Sequence, residues 1–113
     1  MMVSPDEQRQ DWPSHALDRV QELAREGKVN FTPTVQRDTK NLDYPPDEVL
    51  DCLCSLQSGH FQTSIRYADS SLWHDVYTVE WRRENGIIDP LYIKLALARG
   101  CLTVVLFSFH RPR

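Results

Sequence analysis

The sequence predicts an α+β fold, in which N-terminal helices pack on a C-terminal antiparallel β-sheet meander. Two changes along the chain support this prediction. Apolar residues recur every three or four positions in the first half, whereas apolar and polar residues alternate from Phe61 onward. With 113 residues, the chain is long enough for one domain that buries roughly two thirds of its unfolded surface.

Three helices are predicted before the sheet, because capping residues or prolines precede amphipathic runs. Their predicted starts are Ser14 for a helix over residues 14–26, Thr32–Pro33 for a weak helix, and Pro45–Pro46 for a third helix that Gly59 ends. A short edge strand is expected at residues 29–31. Residues 1–11 are polar and acidic, and we expect a flexible leader over residues 1–12 and a single domain over residues 13–113.

Strands are predicted at residues 61–67, 73–81, 87–98 and 103–109, where polar and apolar residues alternate. Asn85–Gly86 predicts a hairpin turn between the second and third of these strands. No run of apolar residues approaches the ~20 residues of a membrane span.

The register of the last hairpin determines which side chains share a face. A two-residue turn would leave His110 on an apolar face. A three-residue loop at residues 100–102 pairs Arg99 with Thr103, and therefore Tyr92 with His110. Because a one-residue slip moves every side chain to the other face, burial favours the second register. It predicts an apolar layer of Leu91, Ile93, Leu95, Leu97, Val105, Phe107 and Phe109, and a polar layer of Tyr92, Lys94, Ser108 and His110.

Charge and cysteine content limit the possible functions. Residues 1–57 contain 6 Lys/Arg and 11 Asp/Glu, whereas residues 58–113 contain 7 and 5. An acidic chain with a pI near 5.7 is a poor general binder of nucleic acid, so any RNA contact is expected to be local. Three cysteines cannot all pair, and we expect them to be reduced in a cytoplasmic protein without a metal or cofactor.

Proton-handling and cationic side chains are concentrated in the last strands and favour phosphodiester chemistry on RNA. Cleavage without a metal needs a base for the 2′-hydroxyl, an acid for the leaving 5′-oxygen, and cations for the phosphorane. Histidine suits both proton roles, since its ordinary pKa is ~6.5. The candidates are His74 and His110 as acid and base, Tyr92 as a proton donor or phosphate ligand, and Lys94, Arg111, Arg66 and Gln62 as RNA or phosphate contacts. Taken singly, either histidine is equally well a solvated residue at a strand end; their convergence on one face favours a site.

Several motifs resemble the MqsR (motility quorum-sensing regulator) toxins of bacterial toxin–antitoxin pairs. The most specific is Trp73–His74–Asp75–Val76–Tyr77, and others are Pro13–Leu17, Leu91–Lys94 and Ser108–Phe109. The resemblance implies a RelE/ParE-like toxin fold and metal-independent cleavage of mRNA at short GC-containing sequences. It also implies a cognate antitoxin from an adjacent gene, with a zinc-binding part and a helix-turn-helix part.

The resemblance also assigns individual residues. The family's active-site tyrosine and nearby strand lysine match Tyr92 and Lys94. The glutamine that follows the family's tryptophan is His74 in this chain, and the C-terminal lysine is His110. Thr63 stands where the family has another lysine, so one expected cation is missing.

These observations predict an mRNA interferase toxin of the stress response, which inhibits translation and growth by cleaving mRNA through 2′-hydroxyl attack. The alternative is a catalytically impaired RelE-like protein that acts as a regulatory protein- or RNA-binding partner; Thr63 and the acidic pI favour it. A third possibility is a structural interaction module that uses an exposed sheet edge. The expected partners are mRNA and the antitoxin, with no membrane contact.

Overall fold

The change of periodicity at Phe61 corresponds to a change from helices to sheet in the computed structural model, which describes residues 7–112. The predicted α+β class is confirmed. The elements in chain order are β1 (Glu7–Gln10), α1 (Leu17–Arg25), β2 (Val29–Phe31), α2 (Pro33–Asn41), α3 (Pro46–Ser55), a 3₁₀ turn (Ser58–His60), β3 (Phe61–Tyr67), β4 (Trp73–Arg82), β5 (Ile88–Ala98) and β6 (Thr103–His110).

The six strands form one sheet in the order β1-β3-β4-β5-β6-β2. All neighbouring pairs are antiparallel except β2 and β6, which are parallel. The helices pack on one face, and the main core there contains Val20, Leu23, Val35, Val49, Leu53, Tyr77, Leu91, Ile93, Leu95, Val104, Leu106 and Phe109. Ile65, Val76 and Ala96 are also buried but lie outside that core, on the opposite face, which we call the open face. None of the helices in the described part of the chain is long and apolar enough to span a membrane.

Local sequence signals locate two helix starts and miss the third. Thr32 caps α2, and its hydroxyl accepts a hydrogen bond from the Val35 amide at 3.4 Å. Pro46 begins α3, which ends at Ser55 rather than at Gly59. The prediction that Ser14 caps α1 is wrong: the helix begins at Leu17, after Ala16, without a side-chain cap.

The expected flexible leader needs correction at residues 7–10. Those residues form β1, which pairs with β3 in the register Glu7 to Tyr67 and Gln10 to Ser64. Polarity of the segment suggested a leader, but the backbone groups at the edge of β3 provide partners for any extended segment. Residues 1–6 lie outside the described part of the chain.

The last hairpin reaches the predicted pairing by a different route. Its loop has four residues, so Ala98 rather than Arg99 pairs with Thr103. Three consecutive loop residues, including Arg99 and Cys101, have positive φ angles. A β-bulge opposite Lys94 and Leu95 then shifts the register by one residue, and Tyr92 pairs with His110 as predicted.

The bulge also changes which β6 side chains enter the core. Val104 and Leu106 are buried on the helix-covered face before the bulge, and Phe109 is buried there after it. The prediction that Val105 and Phe107 belong to this apolar layer is therefore wrong. Phe107 is the additional residue at the bulge and lies on the open face.

A buried carboxylate attaches the segment before α1 to the sheet. Asp75 on β4 is fully buried and accepts hydrogen bonds from the Ser14 amide at 3.0 Å and the His15 amide at 2.9 Å. It also accepts the Ser64 hydroxyl hydrogen bond at 2.7 Å. The Ser14 amide therefore pairs with a distant carboxylate, while the Ser14 side chain does not cap the helix.

Replacing Asp75 by alanine should destabilise the fold by about 3 kcal/mol, because the two part-buried amides and the buried Ser64 hydroxyl lose their charged acceptor. The free energy of unfolding in urea measures this loss. Asp51→Ala, at an exposed aspartate of α3, is the control and should change stability by less than about 0.5 kcal/mol. Equal stabilities of the two variants would contradict the assignment of Asp75 as an anchor.

Candidate active site

Two stacked pairs of rings lie on the open face. The rings of Tyr92 and His110 have centroids 5.1 Å apart and are inclined by 12°. Those of His74 and Phe107 are 4.0 Å apart and inclined by 8°. The first pair follows directly from the register of β5 and β6, since directly paired residues present their side chains on the same face.

Lys94 lies two positions from Tyr92 on β5, about 7 Å along the strand and on the same face. Its ammonium group donates a hydrogen bond to the Tyr67 hydroxyl at 2.9 Å and lies 5.0 Å from the centroid of the Tyr67 ring. Because β4 lies between β3 and β5, the Lys94 side chain crosses β4 to reach this partner. Tyr67 therefore fixes the position of the charge.

Thr63 is in the same cross-strand row as Lys94, since Thr63 pairs with Val76 and Val76 with Lys94. Its hydroxyl donates to the Gln10 carbonyl at 3.2 Å, so it helps to attach β1. A neutral side chain thus occupies the position across Val76 from Lys94, where the family resemblance implies a second cation.

His74 is buried beneath this face. It is 6% exposed, stacks on Phe107 and meets the edge of the Tyr67 ring at 5.1 Å between centroids. Neither ring nitrogen has a hydrogen-bond partner among the described residues. Burial, with a further contribution from the nearby charge of Lys94, lowers the pKa of His74 to about 4. The imidazole is therefore neutral at pH 7 and does not supply an imidazolium acid.

His110 is half-buried and adopts a defined orientation. Its Nδ1 lies 2.7 Å from the main-chain carbonyl oxygen of Arg111. A carbonyl oxygen only accepts hydrogen bonds, so this contact requires the hydrogen on Nδ1. The lone pair on Nε2 is then the acceptor that remains for a substrate proton.

Three of the predicted RNA-binding residues do not join this group. The Arg111 guanidinium pairs with Asp89 at 2.9 Å on the helix-covered face. Arg66 lies over the Trp73 ring at 5.5 Å, on the face opposite His74. Gln62 is exposed at a bulge of β3, where its amide donates to the His60 carbonyl at 3.3 Å.

The structure thus places Tyr92 and His110 side by side on the open face. The Lys94 ammonium lies on the same face but is held towards β3 by Tyr67, and His74 is buried between Tyr67 and Phe107. Sequence reasoning missed Tyr67 and Phe107. Tyr67 was recognised only as a member of an alternating strand, and nothing local shows that Lys94 reaches it. Phe107 was assigned to the core, because the bulge that moves it leaves no clear mark in the sequence. Within residues 7–112 no group of three or more His, Cys, Asp or Glu side chains is arranged to hold a metal ion.

The buried state of His74 predicts a pH-dependent stability. Its pKa is lowered in the folded protein to about 4, so the unfolded chain binds the proton more readily below ~6.5. The contribution is therefore complete above that pH and is lost as the pH falls towards 4. Between pH 7 and pH 4 the free energy of unfolding of the wild type should fall by about 3 kcal/mol more than that of a His74→Phe variant.

Urea unfolding at pH 7 and at pH 4 measures the fall in the free energy of unfolding for each protein. The contributions of the other titrating groups cancel when the two proteins are compared. Gln62→Ala changes an exposed side chain that does not titrate, and we expect it to retain the wild-type fall. An identical fall in the wild type and His74→Phe would show that His74 is not buried in its neutral form.

Comparison with known proteins assigns the family. The model of the family described as "Motility quorum-sensing regulator, toxin of MqsA" matches residues 12–111, nearly the whole chain. A search of curated proteins finds no match. The matched segment contains five of the six strands, all but β1. It also includes Tyr92, Lys94, His110 and His74. The chain therefore belongs to the MqsR toxin family, whose members are the toxins of toxin–antitoxin systems.

Proposed function

We propose that this toxin is a metal-independent endoribonuclease that cleaves mRNA and so inhibits translation and growth. The observation that carries the proposal is the stacked pair of Tyr92 and His110, with the Lys94 ammonium group on the same open sheet face. A base, a hydroxyl donor and a cation are the groups that 2′-hydroxyl attack on a phosphodiester requires.

Each group has a role in the proposed reaction. Nε2 of His110 accepts the proton of the 2′-hydroxyl, and the 2′-oxygen attacks phosphorus. The Lys94 ammonium stabilises the negative charge that develops on the phosphoryl oxygens. The Tyr92 hydroxyl gives its proton to the leaving 5′-oxygen. The products are a 2′,3′-cyclic phosphate and a 5′-hydroxyl, and the two side chains return to their starting states by exchange with solvent.

His74 supports this group from below. It was predicted as an acid or base, but its imidazole is buried, neutral and stacked on Phe107. We therefore assign it to the packing that holds Lys94 and Tyr67 at the surface. Gln62 and Arg66 on β3 stay proposals for contacts to more distant nucleotides, although β4 separates β3 from β5 and Arg66 lies on the helix-covered face.

The proposed substrate is single-stranded mRNA. The formal net charge of −3 does not favour binding over a long stretch of phosphates. Flat side chains such as Tyr92 and His110 can stack on splayed bases, which is how most proteins read single-stranded RNA. The contact is therefore short, with one or two bases beside the scissile phosphate.

Membership of this toxin family implies an antitoxin partner. We propose that the antitoxin combines a zinc-binding part with a helix-turn-helix part and that its binding stops cleavage. This assignment rests on the family resemblance alone.

The second candidate function is a regulatory protein of this fold with impaired cleavage, which binds RNA or a protein partner. Thr63 favours it, because the row that holds Lys94 carries a hydroxyl where a second cation is expected. Such a protein would bind its partner stably and leave RNA intact.

Replacement of the open-face residues tests the proposal. His110→Ala, Tyr92→Phe and Lys94→Met should each reduce cleavage of a single-stranded RNA by about a hundredfold or more, because each removes a proton-transfer or charge-stabilising group. The measurements are the single-turnover cleavage rate and growth arrest on induced expression.

The matched control is Lys28→Met, since Lys28 lies on the loop before β2 and its side chain is 58% exposed. It should cleave RNA at the wild-type rate. If the wild type neither cleaves RNA nor arrests growth, the catalytic proposal is wrong and the regulatory function is preferred.

A further inference from the structure

Arg111 follows the proposed active residue His110 in the sequence, but its side chain lies on the other face of the sheet. Successive side chains of a strand point to opposite faces. His110 therefore faces the open side, and the Arg111 guanidinium reaches Asp89 at 2.9 Å on the helix-covered side. Asp89 is 3% exposed, so this ion pair joins a solvent-accessible arginine to a buried carboxylate.

Tyr44 completes the surroundings of Asp89. The Tyr44 hydroxyl donates a hydrogen bond at 2.6 Å to Oδ2 of Asp89, while Arg111 binds Oδ1. Burial and the adjacent Asp89 carboxylate raise the pKa of Tyr44, so its hydroxyl remains protonated and continues to donate. The Tyr44 ring packs edge-on against Phe109 at 5.3 Å between centroids. Asp89 is thus held by one donor from the loop between α2 and α3 and by one from the residue that follows β6.

The main chain of Arg111 acts on the opposite side. Its carbonyl oxygen lies 2.7 Å from Nδ1 of His110 and accepts the imidazole hydrogen. The direction of this carbonyl depends on where the Arg111 side chain is held. A main-chain oxygen therefore has the orienting role that a carboxylate has in other histidine sites, and it leaves Nε2 free as the base.

We propose that Tyr44, Asp89 and Arg111 form a clamp that positions His110 for catalysis and selects its Nδ1-protonated tautomer. Arg111 is then a positioning residue and not the phosphate contact that its sequence suggests. A phosphate contact would require Arg111 to leave Asp89, which would remain buried without its cation. The catalytic part of this inference rests on the proposed function, whereas the selection of the tautomer does not.

Kinetics distinguish the two roles of Arg111. With the clamp, Asp89→Asn and Arg111→Met should each lower kcat roughly ten- to a hundredfold by misplacing the base, with KM unchanged. The double variant should be no slower than the slower single variant, because both changes break one interaction. If Arg111 binds phosphate, Arg111→Met raises KM and weakens the salt dependence of RNA binding, Asp89→Asn does neither, and the proposal is overturned.

A second measurement does not depend on cleavage. Nitrogen-15 NMR of the His110 imidazole in the full chain should show Nδ1 protonated and Nε2 unprotonated in the wild type at high pH. The clamp variants should show a mixture of the two tautomers. A wild-type ring protonated on Nε2, or a ring unaffected by both variants, would overturn the proposal.

Two further variants complete the design. Tyr44→Phe removes one hydrogen bond while keeping the ring, so it tests the clamp even if Asp89→Asn does not fold; it should shift the tautomer in the same direction. Arg37→Met, at an exposed arginine of α2, is the matched control and should change neither measurement. If the wild type does not cleave RNA, the proposed function fails, while the NMR result still decides whether the clamp exists.

Discussion

The pairing of β5 with β6 is the constraint on which both faces of the sheet depend. Near the hairpin loop the pairing buries Val104 and Leu106 against the helices, and beyond the bulge it buries Phe109 on the same side. The same one-residue shift brings His110 opposite Tyr92 on the open face. Core and proposed site thus share one cause, since on either side of the bulge the side chains of a strand alternate between faces.

Two buried carboxylates attach the segment before α1 and the residue after β6 to this sheet. Asp75 receives the amides of Ser14 and His15 before α1, and Asp89 receives Arg111 after β6. Each carboxylate is satisfied by several donors, as burial of a charged group requires. A polar side chain within a strand can therefore be structural, even when it lies next to residues of a proposed site in the sequence.

His74 differs from these carboxylates, because it is buried without a hydrogen-bond partner among the described residues. An unpaired polar group in a packed interior destabilises the fold, and such exceptions often accompany functional sites. Its position explains how it is tolerated. The stacked contact with Phe107 and the edge-on contact with Tyr67 offset part of the cost of burying the imidazole. The Tyr67 hydroxyl in turn fixes the position of the Lys94 charge.

The α+β class, the three helices, the last four strands and the pairing of Tyr92 with His110 could all be predicted from the sequence, because these features depend on local periodicity and on burial of one face. The cap at Thr32 could also be predicted from neighbouring residues. The true role of Ser14 could not, because its amide donates to a carboxylate 61 residues away. Three features depend on contacts between distant segments and could not be predicted: the strand β1, the exclusion of Phe107 from the core, and the reach of Lys94 across β4 to Tyr67. The same holds for Arg111 and His110, whose side chains lie on opposite faces of the sheet. A step of one residue along an extended chain moves the side chain to the other face of the sheet. Which carboxylate an arginine then pairs with depends on strands that are far apart in the sequence.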